Sequence, residues 1–188
     1  MEKVNTVVQE ILEIYKRYGQ ESYGENITQT EHALQSAVLA HKEGFEDEVI
    51  IAALLHDIGH LIVQEPEAKM EENLGAIDHE AVGAKFLRQK GFSEKVCTLV
   101  KGHVAGKRYL TFKHPDYYHN LSEASKKTLV HQGGSMTEEE AAAFEQDPFF
   151  KLNLKMREWD DKGKIENMEL PQMKDFTQII EAHLKTQL

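Results

Sequence analysis

The stretch EDEVIIAALLHDIGHL, residues 46–61, is apolar on most sides of any helix it forms, so it predicts a central, buried helix rather than an amphipathic surface one. It also carries His56, Asp57 and His60. A carboxylate in so apolar a setting is costly to bury unless it is paired or coordinates a metal. Neighbouring side chains on a helix point about 100° apart. His56 and Asp57 can therefore address one metal only near a helix end or through a bridging arrangement.

Outward from this segment the chain reads as helical. Val4, Val7, Val8, Ile11, Leu12 and Tyr15 recur at i, i+3, i+4, i+7 spacing up to Gly19. Glu31 to Lys42 predicts a second helix with Leu34, Ala37 and Val38 on one face. His79 to Lys90 carries Val82, Phe86 and Leu87 at helical spacing and stops at Gly91. Ser93 predicts an N-cap for a helix with Val96, Cys97, Val100 and Val104 inside. Thr137 and Glu140 have capping-box spacing, and Asp147-Pro148 predicts an N-cap with proline at the first helical position of a helix to Gly163. The last twelve or so residues form another amphipathic segment. No stretch alternates apolar and polar with β-branched enrichment, so the expected fold is all-α, a single domain over 1–188. Residues 62–78 and the aromatic-rich 106–120 read as long connections, where function is often placed.

Composition narrows the class of protein. Net charge is −10, from 22 Lys and Arg against 32 Asp and Glu, which argues against nucleic acid or an anionic membrane as partner. Exposed acidic faces are compatible with a monomer. A single cysteine, Cys97, excludes an internal disulfide framework and fits a reducing compartment. No signal-like apolar core and no membrane-length run is present, so the expectation is a cytoplasmic protein.

Histidine placement carries the functional signal. Besides His56 and Asp57, His32, His79 and His103 lie on or beside apolar stripes of other predicted helices, and Asp160 follows Trp159 on a late one. A lone histidine on an apolar face is more often a hydrogen-bonded core residue than a ligand, and that reading suffices for His79 alone. As a set, four histidines and two aspartates facing one core supply ligands for two metal ions. Imidazole and carboxylate without thiolate suit iron, manganese, nickel or zinc.

The order His32 … His56-Asp57 … Asp160 resembles the H…HD…D signature of the HD-domain superfamily of helical metal-dependent proteins. His79 and His103 resemble its di-metal subset, most of which hydrolyses phosphate esters. Gly24-Glu25 before Gln29 and Glu31-His32, ALLHDIGH at 53–60, GHVAGKRYL at 102–110, LSEASKKTLVHQGG at 121–134 and REWDDKGK at 157–164 are similar to the mixed-valent di-iron branch. Within that branch they look like the glycine-forming 2-amino-1-hydroxyethylphosphonate dioxygenase family. The resemblance implies an HD-type helical bundle, an Fe(II)/Fe(III) pair and O2 as co-substrate. It implies one iron on His32, His56, Asp57 and Asp160 and a second on His79, His103 and the bridging Asp57. A small phosphonate would be gripped by His60, Lys107, Ser125 and Arg157, with Thr128 and Gln132 on the pocket wall and Glu25 facing a substrate ammonium. Asp57, Lys107 and His60 are the residues assigned to catalysis. The family carries a tyrosine three residues before the glutamate, an iron ligand in the substrate-free state. Here Ser22 fills that position and Tyr23 stands two before Glu25.

Two rival classes stand beside this one. A phosphohydrolase of the same superfamily would use a metal-bound hydroxide and no O2, and Lys107 and Arg157 would serve a phosphate ester equally well. A helical binding module with structural histidines would purify without stoichiometric metal.

Overall fold

The computed structural model describes residues 1–22, 26–65 and 78–187. Every regular element among them is helical, and only an isolated bridge joins Ser22 to Thr28. The helices are α1 (Glu2–Tyr18), α2 (Gln29–Lys42), α3 (Asp47–Leu55), α4 (Ile58–Ile62), α5 (His79–Lys90), α6 (Glu94–Lys113), α7 (Pro115–Asn120), α8 (Glu123–His131), α9 (Glu138–Glu145), α10 (Phe150–Lys162) and α11 (Thr177–Gln187). A 3₁₀ turn, Met173–Phe176, leads into α11.

Helix α3 is the centre of the bundle, with every residue from Val49 to Leu55 buried. It packs on α2 and α6, while α10 closes over α2 and α6. The ends of the chain join the same core: Val4, Val7, Val8 and Ile11 of α1 lie in it with Ile180 and Leu184 of α11. Local chemistry fixes the boundaries. Thr28 and Glu31 form a capping box at the start of α2, Ser93 caps α6, Ser122 caps α8, and Thr137 with Glu140 boxes the start of α9.

Three sequence expectations change, and one helix appears where none was expected or excluded. The 46–61 segment is two helices, not one, broken at His56-Asp57. The 106–120 segment is no connection: α6 runs unbroken to Lys113 and α7 follows. Its aromatic-rich composition read as a connection, but Gly106, like Gly102 one turn earlier, is where α6 and α10 touch. A Cβ on Gly102 would meet Asn153 Oδ1 at 2.2 Å, and one on Gly106 would meet the Asn153 carbonyl at 2.9 Å. Residues 123–131 form a helix that no periodic apolar stripe announced, since only Ser125 and Leu129 of it are buried. Finally, α10 opens at Phe150. Asp147 Oδ1 accepts from the Phe149 N–H at 2.6 Å, capping the preceding turn instead of the helix.

Candidate metal centre

The break between α3 and α4 builds the site. Asp57 sits at φ −101°, ψ 9°, between regular regions, so the backbone turns just where His56 and Asp57 follow each other. That resolves the 100° problem: at a helix end, His56 and Asp57 both face inward. The carbonyls stranded by the break are satisfied. Leu54 O accepts from the Tyr15 hydroxyl at 2.9 Å, and Ala53 O accepts from His56 Nδ1 at 2.8 Å. Close approach of α5 to α4 at Gly59 brings His79 to the same place.

Two histidine pairs flank Asp57. His32 and His56 bring their Nε2 atoms to 3.1 Å, and His79 and His103 do the same at 3.1 Å. The Asp57 carboxylate divides between them. Its Oδ2 lies 3.6 and 3.5 Å from His32 and His56, and its Oδ1 lies 3.2 and 3.4 Å from His79 and His103. Asp160 Oδ1 stands 3.4 Å from His32 Nε2. The donor atoms of His32, His56 and Asp160 form one compact group and those of Asp57, His60 and His79 another. His60 stacks on His79, ring centroids 3.9 Å apart.

These donors fit metal ions. A carbonyl only accepts, so the Nδ1 atoms of His32 on Gly163 O (2.8 Å), His56 on Ala53 O and His103 on Val100 O (2.7 Å) carry the hydrogen. The Nε2 atoms of His32 and His56 then face each other at 3.1 Å. Burial pushes His56 and His60 down to about 4, which keeps them neutral, the form that ligates. Burial alone would raise Asp57, but His56, His103 and His79 hold it well below the usual carboxylate range. Asp57 Oδ2 is buried with no hydrogen-bond partner among the described residues. An anionic oxygen and four imidazole nitrogens crowded around a common point are the arrangement that a cation relieves.

A cavity of ≈ 130 Å³ opens on this centre. Asp57, His60, His79, His103, Lys107, Ser125, Thr128, Gln132, Arg157 and Asp160 line it, together with Gln29, Ala124 and Lys164. His32 and His56 lie behind that wall, fully buried. Lys107 Nζ donates to Thr128 Oγ1 at 2.9 Å, and burial with Arg157 nearby pushes its pKa down to about 8. Arg157 is held on several sides. Its Nη1 donates to Asp160 Oδ2 at 2.5 Å, its Nε to the Tyr117 hydroxyl at 2.7 Å, and its Nη2 to Asp161 Oδ1. It therefore holds the Asp160 carboxylate in one orientation. Glu25 and Tyr23 lie outside the described residues.

Sequence reasoning missed Lys164, although it stands in the 157–164 string, because an isolated lysine after a helix reads as solvated. It also missed Tyr117, hidden in what read as a connection, and Gln35 of α2, whose side chain pins the backbone of Ile165.

An all-helical bundle carrying a His, a His-Asp and a late Asp at one buried centre defines a class, and the chain belongs to the HD-domain family, whose description matches residues 29–141. The similarity to individual relatives is wider. The chain is 38% identical over 178 residues to the hydroxymethylphosphonate dioxygenase of Gimesia maris, covering 95% of this chain and 88% of that one. It is 40% identical over 176 residues to the glycine-betaine-forming 1-hydroxy-2-(trimethylamino)ethylphosphonate dioxygenase of Leisingera caerulea, covering 93% and 89%. An uncharacterized protein of Acanthamoeba polyphaga mimivirus is 41% identical over 166 residues, covering 88% and 76%.

Proposed function

We propose that the protein is an oxygenase that cleaves the carbon–phosphorus bond of a 1-hydroxyphosphonate with O2, releasing phosphate and a carboxylate. 2-Amino-1-hydroxyethylphosphonate, which gives glycine, is the substrate of first choice. The observation that carries the reading is Asp57 dividing its two oxygens between two histidine pairs, beside a cavity lined by cationic side chains. The two named dioxygenases support it, since both take phosphonates with a hydroxyl on the phosphorus-bearing carbon.

His32, His56 and Asp160 would hold one metal, His79 and His103 the other, and Asp57 both, as a bridging carboxylate between like charges requires. An Fe(II)/Fe(III) pair in these places supplies the redox equivalents for O2 and the Lewis acidity toward substrate oxygens. The protein's own groups do the rest. Lys107, charged below about pH 8, meets the phosphonate dianion, and Thr128 keeps the ammonium aimed. Ser125 and His60 offer further polar contacts at the wall, and the buried Gln132 Oε1, without a partner among the described residues, is an acceptor for a substrate N–H or O–H. The reaction balances with no other reductant: R–CH(OH)–PO3H2 plus O2 gives R–COOH plus H3PO4, breaking the C–H and C–P bonds.

The test of the substrate assignment is phosphate release by iron-loaded protein from three compounds: hydroxymethylphosphonate, 2-amino-1-hydroxyethylphosphonate and its trimethylammonium analogue. The highest kcat/KM is expected for the amino compound. A higher value for either of the others reassigns the substituent, and turnover of simple phosphate esters alone hands the site to the hydrolase class.

A further inference from the structure

We propose that Lys164 is a second cationic contact for the substrate's phosphonate group, paired with Lys107 along one face of α8; this rests on the oxygenase reading of the same cavity. Lys164 follows the end of α10, where a lysine would ordinarily be solvated. Three observations set it apart.

First, its backbone is held on both sides by buried side chains of α2. The preceding residue, Gly163, accepts through its carbonyl from His32 Nδ1 at 2.8 Å. The following residue, Ile165, is gripped twice by the Gln35 amide: its carbonyl accepts from Nε2 at 2.8 Å and its N–H donates to Oε1 at 2.9 Å. Gly163 permits the approach, since a Cβ there would lie 2.9 Å from Trp159 O, 3.0 Å from Ser36 Oγ and 3.4 Å from His32 Nδ1. The loop that carries Lys164 is thus fixed against the metal centre itself. Fixing a flexible side chain's base in advance reduces the ordering cost of binding.

Second, Lys164 lines the site cavity and reaches α8. Its Nζ donates to Ser125 Oγ at 3.4 Å, while Lys107 Nζ donates to Thr128 Oγ1. Ser125 and Thr128 are three residues apart on one helix and so share a face. Thr128 gives its own hydrogen to the Ser125 carbonyl at 3.1 Å, so the donors that converge there are the two ammonium groups and the Ser125 hydroxyl, a set suited to a doubly charged, tetrahedral anion.

Third, the charge balance asks for it. Arg157 is compensated by Asp160 and Asp161, both within ion-pair distance. The other cations lining the cavity, among the described residues, are Lys107 and Lys164. Lys164 also lines a second cavity of ≈ 250 Å³, with Tyr117 and Asp161.

The test compares iron-loaded wild-type protein with Lys164→Met, Lys164→Arg and Lys107→Met. The readouts are KM and kcat for the phosphonate, affinity for inorganic phosphate by calorimetry, and iron content. Lys164→Met is expected to raise KM and the phosphate Kd roughly tenfold, as the loss of a charge-assisted contact does, with iron retained and Lys164→Arg recovering most of the loss. If Lys164→Met leaves both within twofold of wild type while Lys107→Met weakens them, the proposal is overturned and the oxygenase reading stands. Loss of iron from Lys164→Met would also overturn it, assigning the residue to the support of His32 through Gly163. If wild-type protein neither binds phosphate nor turns over a phosphonate, the oxygenase reading itself fails, and this inference with it.

Discussion

At the scale of single residues, Asp57 does two things that a lone buried carboxylate cannot. It offers one oxygen to each histidine pair, and its charge is maintained against burial by the surrounding imidazoles. Asp57→Ala should therefore cost both metals, and His103→Ala chiefly one. Iron per polypeptide, measured after purification without a tag, checks this, and two irons retained by Asp57→Ala would refute the bridging role. Much of this site was legible in the sequence, because His56-Asp57 inside the most apolar segment conflicts with every rule for a core unless a cation is near. The four histidines were legible only as a set. The sequence also carried Lys107, Ser125, Thr128, Gln132 and Arg157 to the cavity wall, but not the engagement of Arg157 by Tyr117 and Asp161, which depends on α7 packing beside α10.

At the scale of elements, the site is a consequence of where helices stop and how closely they approach. The α3–α4 break turns two adjacent side chains inward. Gly59 then lets α5 come so near that a Cβ on it would fall 1.9 Å from the His79 carbonyl, a backbone atom that cannot step aside. Gly59→Ala is expected to push α5 away, destabilise the fold by about 1–3 kcal/mol as overpacking does, and detach His79 from the second metal position. Thermal unfolding together with iron content measures it; a variant with unchanged stability and full iron would show that α4 and α5 need no such contact. Element ends set by capping chemistry, at Ser93 and Thr137, were readable from sequence. The α3–α4 break was not, because nothing in the apolar run marks it; its carbonyls are satisfied by Tyr15 from another helix and by His56 itself. The last two turns of α6 were hidden for a different reason. The aromatic-rich composition of 106–120 suggests a connection, whereas Gly106 within it admits the backbone of α10.

At the scale of the whole molecule, an acidic protein of net charge −10 gathers Lys107, Arg157 and Lys164 around one small cavity. Cations concentrated inside an otherwise acidic protein point to a small anionic ligand rather than a polyanion, which would need a basic outer face. The helices outside the matched family segment serve the same centre. α10 supplies Asp160 and Arg157, α1 supplies the Tyr15 hydroxyl at the break, and α11 closes on α1 and α3 with Ile180 and Leu184 in the core. No helix among the described residues is long and apolar enough to cross a membrane. The central claim is that this cavity couples O2 to carbon–phosphorus cleavage. It is tested most directly by following dissolved oxygen and inorganic phosphate together in one sealed cell, with iron-loaded protein and 2-amino-1-hydroxyethylphosphonate. The account predicts one O2 consumed for each phosphate released, and no phosphate in the absence of oxygen. Phosphate formed at an undiminished rate under anaerobic conditions would contradict it.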